Sequence, residues 1–141
     1  MAEVLIADDE PAMLKSLSLI LEQRGLGIAT ASTGREVLKQ LCRKTAAGEQ
    51  FDAIILDIKM PDIDGWQVMQ AMQANPLWHK IPVVVMSGYA NGAVDYANVT
   101  RLGGVMVEKK EDFTHVLGAI LDRVLAAAAH RPIRVTEPTG S

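Results

Sequence analysis

Ala53-Ile54-Ile55-Leu56-Asp57-Ile58-Lys59-Met60-Pro61-Asp62-Ile63-Asp64-Gly65 is the stretch that decides the reading. Four apolar residues run without alternation straight into an acid. A strand buried on both faces reads as such a continuous run, and strands of that kind belong to parallel sheets. Asp57 then stands where that strand ends, and Pro61, Asp62 and Gly65 mark a loop.

The same pattern returns on either side. Val4-Leu5-Ile6-Ala7 and Ile28-Ala29 precede it; Val83-Val84-Val85-Met86 and Val105-Met106-Val107 follow. The intervals carry helical period. Met13, Leu14, Leu17, Ile20 and Leu21 form one stripe, Val37, Leu38 and Leu41 a second, and Val68, Met69 and Met72 a third. Ala93, Ala97 and Thr100 make a pale fourth within 91–102. Phe113, Val116, Leu117, Ile120, Leu121, Val124 and Leu125 make the cleanest, with Asp112 placed to cap it. Strand and helix alternate five times. The expected fold is α/β, doubly wound (βα)5 and flavodoxin-like: a five-stranded parallel sheet of order 2-1-3-4-5 with helices on both faces. Residues 45–50 read as a polar loop, 1–130 as one domain and 131–141 as a C-terminal tail too short for a helix-turn-helix output domain.

Composition closes off other classes. The chain has 141 residues, 49% hydrophobic and 22% charged, which is enough for one packed core. A net charge of −3 gives no basic surface for direct DNA binding. The single cysteine, Cys42, excludes an intramolecular disulfide framework and reads as a core or boundary residue of the second helix. No apolar run reaches the ~20 residues of a membrane span. The N-terminus lacks the pattern of a signal peptide, so a cytoplasmic location is expected. His79, His115 and His130 are too scattered for a metal site. Trp66 and Trp78 read as packing residues bracketing the third helix.

Open parallel sheets bind ligands outside the carboxyl ends of their strands. The residues there are Asp8, Asp9 and Glu10 after the first strand, Asp57 after the third, Ser87 and Gly88 after the fourth, and Lys109 and Lys110 after the fifth. Each alone has an ordinary explanation: a helix cap, a loop opener, a surface charge. Their placement at one sheet edge is what carries a functional reading. Two carboxylates ~4 Å apart repel by about 4 kcal/mol at an effective dielectric of ~20, so such a cluster calls for a cation. Mg²⁺ suits carboxylates, a carbonyl and waters, above all beside a phosphoryl group. An ionised carboxylate attacks phosphorus without a general base, giving an aspartyl phosphate.

The motifs Ile6-Ala7-Asp8-Asp9-Glu10-Pro11, Leu56-Asp57-Ile58-Lys59-Met60-Pro61-Asp62 with Asp64-Gly65, and Val83-Val84-Val85-Met86-Ser87-Gly88 resemble those of the receiver domain of two-component response regulators, the CheY-like superfamily. The resemblance runs from Glu3 to about Ala129. It implies that Asp57 is the phosphoacceptor, fed by a histidine kinase or a histidine phosphotransfer protein. It implies that Asp9, Asp57 and the backbone carbonyl of Lys59 ligate Mg²⁺, that Asp8 holds a metal-bound water, and that Ser87 and Lys109 hold the phosphoryl oxygens. The output implied is a downstream protein target met through the face of helix four, strand five and helix five. A monomer or weak homodimer is the implied assembly, and turnover enzymology is not implied.

This sequence departs from the receiver pattern in three places. Lys109 is followed by Lys110 where a proline is usual, and the approach to strand five is one residue short around Gly103-Gly104. The switch position holds Met106 instead of an aromatic, so a muted or rerouted output is expected. Lys59 and Tyr89 flank the site, which leads us to expect a long-lived phosphoform. The alternative is a phosphorylation-independent interaction module with an uncoupled switch. A phosphohydrolase with an aspartate nucleophile needs a second acid where Lys59 stands.

Overall fold

The computed structural model describes residues 1–88 and 93–129, with side chains at all of these except 93–96, 128 and 129. The expectations for Tyr89, His130 and a tail at 131–141 lie outside the described residues. Five strands, β1 (Glu3–Ala7), β2 (Gly27–Ala31), β3 (Ala53–Asp57), β4 (Val83–Ser87) and β5 (Gly104–Glu108), alternate with five helices. These are α1 (Pro11–Glu22), α2 (Gly34–Ala46), α3 (Gly65–Ala74), α4 (Ala93–Arg101) and α5 (Phe113–Ala129). All pairings are parallel and the order is β2-β1-β3-β4-β5, as the sequence pattern predicts.

The continuous apolar runs are buried because the sheet is covered twice. Leu5, Ile54, Leu56, Val83, Val85 and Met106 pack with residues of α2, α3 and α4 on one face. Val4, Ile6, Ile55, Val84, Met86 and Val107 pack with α1 and α5 on the other. Ile54, Ile55 and Leu56 of the central strand are wholly inaccessible. Burial at that level is worth about 1.5–3 kcal/mol for each such side chain. It fixes the sheet register, and with it which residues emerge at the carboxyl edge.

Local chemistry starts the helices that flank this edge. Thr33 Oγ1 accepts from the Glu36 N–H at 3.0 Å, capping α2. Asp64 and Gln67 form a reciprocal capping box at 2.9 and 3.0 Å, starting α3. The first turn of α2 rests directly on the loop after β3: a Cβ on Gly34 would overlap the Ile63 carbonyl. Gly34→Ala is therefore expected to lower stability by about 3 kcal/mol, since backbone on both sides leaves little room to relax. Urea denaturation checks this, and an unchanged midpoint would contradict it.

Three expectations need correction. Residues 45 and 46 are not loop: α2 continues through Ala46, and the Thr45 hydroxyl donates to the Leu41 carbonyl at 2.9 Å while accepting from Trp78 Nε1 at 2.9 Å. Cys42 is exposed, on the side of α2 turned from Val37 and Leu41. Val116 is 45% exposed, although it shares the α5 stripe with buried Leu117 and Leu121. The seven-residue stripe is wider than the arc of α5 that the sheet covers.

Candidate functional site

A cavity of about 760 Å³ opens at the carboxyl edge of the sheet, lined by Asp8, Asp9, Glu10, Pro11, Asp57, Ile58, Lys59, Trp66, Ser87, Gly88 and Lys109. It collects residues that lie up to 101 positions apart in the chain, as the Lys109–Asp8 pair shows. Backbone bonds place them. The Asp8 N–H donates to the Ala31 carbonyl at 3.1 Å, the Ile58 N–H to Met86 at 3.3 Å, and the Lys109 N–H to Ser87 at 2.8 Å. Each residue leaving a strand is thus tied to the end of the neighbouring strand.

Asp8, Asp57 and Ser87 are the buried polar residues of the described chain. Asp8 is held from two sides: Oδ1 accepts the Glu10 N–H at 2.9 Å and Oδ2 accepts Lys109 Nζ at 3.0 Å. The same ammonium lies 3.4 Å from Asp57 Oδ2. Asp9 is exposed at the rim. Among the described residues, Asp8, Asp9 and Asp57 each present a carboxylate oxygen, all within 4.8 Å of one another.

The electrostatics follow from that crowding. Burial, then the charge of Asp8, raises the Asp57 pKa from 3.8 to about 6, against the opposing pull of Lys109 and the Lys59 backbone N–H. Burial pulls Lys109 down, but its bond to Asp8 and the charges of Asp57 and Asp8 outweigh it and hold the ammonium above its ordinary range. At pH 7 Asp57 is still mainly ionised. Three carboxylates facing one ammonium leave two negative charges uncompensated, which is the charge of one divalent cation. The donors are all hard oxygens, as Mg²⁺ requires.

Sequence reasoning missed some of this cavity. Trp66, read as a packing residue, packs against the core and also lines the wall on the second residue of α3, with Pro11 and Ile58 as its other apolar members. Lys110 does not line the cavity: its Nζ lies 2.7 Å from Glu108 Oε1, and the side chain is 76% exposed. Met106 is buried with the residues under α3 and α4 and also lies outside the cavity lining.

The carboxyl edge of this doubly wound parallel sheet gathers an acidic triad that could hold a metal ion, a hydroxyl and an ammonium. The response regulator receiver domain model matches residues 4–120, and the chain belongs to that family. It is 37% identical over 91 residues to the chemotaxis protein CheV1 of Helicobacter pylori, an alignment covering 62% of this chain and 28% of that one. It is 31% identical over 147 residues to the transcriptional regulatory protein KdpE of Mycobacterium tuberculosis, covering 97% of this chain and 59% of that one. The chain therefore spans less than two thirds of the length of these relatives. Among solved structures it is similar to the chemotaxis response regulator CheY4 of Vibrio cholerae, with a TM-score of 0.75 and 26% identity over 88% of this chain and 98% of that one.

Proposed function

We propose that Asp57 accepts a phosphoryl group from a phosphohistidine on a histidine kinase or histidine phosphotransfer protein. An oxygen of the Asp57 carboxylate forms the new bond to phosphorus. The phosphorus–nitrogen bond breaks, and its electron pair leaves with the imidazole. Lys109 and Ser87 hold phosphoryl oxygens. Asp9, Asp57 and the Lys59 carbonyl would hold Mg²⁺ directly, and Asp8 would hold it through a water. Bound Mg²⁺ supplies neutralisation of the charge that builds on the phosphoryl oxygens. The observation that carries the reading is a buried, mainly ionised Asp57 held against Lys109 beside two further carboxylates.

The reaction is a stoichiometric transfer rather than enzymatic turnover, and its product is a change of partner. The partner surface is the one formed by α4, β5 and α5, where Val105 and Val116 are exposed apolar side chains. A cytoplasmic protein, monomeric or weakly dimeric, with no direct DNA contact fits the low net charge. No helix of the described residues is long and apolar enough to cross a membrane. Lys59, exposed at the cavity rim, adds a cation beside the phosphoryl position and favours a long-lived phosphoform.

Label from a ³²P-phosphorylated histidine phosphotransfer protein is expected on the wild type and not on Asp57→Ala, and to persist after the donor is removed. Label on the variant would contradict the acceptor assignment. Immediate loss from the wild type in Mg²⁺ would contradict the long lifetime.

A further inference from the structure

Gly65, Met69 and Gln73 stand at i, i+4 and i+8 of α3, one stripe along about 12 Å of helix. Each touches something different. At the start of the stripe α3 rests on the acceptor's own backbone. A Cβ on Gly65 would lie 2.5 Å from the Asp57 carbonyl oxygen and 2.8 Å from Ile58 Cα, and the Gly65 N–H donates to the Ile58 carbonyl at 2.8 Å. In the middle, buried Met69 places its Cε methyl in the notch left by Gly104 at the start of β5, 2.8 Å from where a Cβ would stand. Val99 Cγ1 of α4 closes the same notch at 3.1 Å. At the far end, Gln73 Nε2 donates to the Leu102 carbonyl at 2.5 Å and lies 2.6 Å from where a Cβ of Gly103 would be.

Leu102 and Gly103 are the whole connection between α4 and β5. Gly103 has φ +83, a conformation glycine adopts at little cost. Gln73 ties this turn to α3.

We propose that α3 is a strut that carries a displacement at Asp57–Ile58 to the α4–β5 connection, with Met69 and Gln73 as positioning residues. The proposal rests on the phosphoacceptor reading. A hydrogen-bonded helix is stiff along its axis, so a shift imposed at Gly65 reaches Gln73 with little loss. The route does not pass through Met106, and it supplies a rerouted output for a β5 that lacks an aromatic at that position. Coupling is reciprocal: whatever holds the turn in one state also biases the site.

The test is residue-resolved amide hydrogen exchange on the wild type, Gln73→Ala and Met69→Leu, each with and without beryllium fluoride and Mg²⁺ as a phosphoryl mimic. Gln73 is exposed, and Met69→Leu conserves volume while removing the Cε methyl, so both variants fold. In the wild type, exchange is expected to change at least fourfold at Asp57–Ile58 and at residues 102–106. In the variants the change at Asp57–Ile58 remains and that at 102–106 falls below twofold. Full transmission in both variants, or a wild type that responds at Asp57–Ile58 and not at 102–106, would overturn the strut. A wild type silent at Asp57–Ile58 would overturn the phosphoacceptor reading, and the strut with it.

Discussion

Asp57→Asn is expected to stabilise the metal-free protein by about 2 kcal/mol at pH 7.5 and to leave it unchanged at pH 4. The folded chain holds the Asp57 proton up to about pH 6, while the unfolded chain releases it near 3.8. Between those values the folded state binds more protons, so stability falls as pH rises through the window and is level above it. The full displacement corresponds to about 3 kcal/mol. Weakening of the Lys109 contact in the amide brings the gain down to about 2. Other carboxylates titrate in both proteins, so the difference between wild type and variant isolates this one. Urea denaturation in chelator at pH 4, 5, 6 and 7.5 measures it, and a variant no more stable than wild type at pH 7.5 would contradict it. On the proposed function this cost has a use: the charge that destabilises the fold is the charge that attacks phosphorus and binds metal.

The opposite sign is expected at Lys109. Lys109→Ala takes from Asp8, 1% exposed, and Asp57, 6% exposed, the ammonium that lies against both. Removing one partner of a buried pair costs about 3–5 kcal/mol. Because the Lys109 pKa is raised in the fold, its contribution is complete at every pH below its ordinary value of 10.5 and is lost only above its folded value. The loss is expected to be larger at pH 9 than at pH 7 in chelator, because Lys109 lowers the Asp57 pKa. Without Lys109 that pKa rises further, and a proton relieves the carboxyl at the lower pH. Millimolar Mg²⁺ restores part of it by bringing two positive charges to the same oxygens. Denaturation with and without Mg²⁺ reads both effects. A loss under about 1 kcal/mol, or no recovery with Mg²⁺, would show that Lys109 does not neutralise this site.

Most of the fold was legible because double-sided burial leaves a direct trace in sequence. β1, β3 and β4 are unbroken apolar runs with the acid or hydroxyl at the next position, and Lys109 follows the β5 run one residue later, after Glu108. That is why Asp8, Asp57, Ser87 and Lys109 could be placed together without a structure. The sequence already points to Lys109 over Lys110, and the parallel register gives the physical reason: it sets Ser87 opposite Glu108 and brings the Lys109 N–H onto the Ser87 carbonyl. Lys110 then turns back to Glu108.

The short approach to β5 was visible as Gly103-Gly104, but its reason was not. Gly104 is a notch for a methionine that lies 35 residues earlier, and no local pattern encodes that contact. Trp66 packs against the core as expected, but its place in the cavity wall was hidden for the same kind of reason. An aromatic at the start of a helix says nothing of whether it faces a core or a cavity until the preceding loop is folded. Cys42 and Val116 show the limit of periodicity: it gives the apolar arc of a helix and not how much of that arc the sheet reaches.

The most direct test of the acceptor chemistry is the intact mass of the protein after incubation with acetyl phosphate and Mg²⁺, with Asp57→Ala alongside. A gain of one phosphoryl group, about 80 Da, on the wild type alone is the expected result. A folded wild type that gains no mass, or a variant that gains as much, would contradict the assignment of Asp57 as the phosphoacceptor.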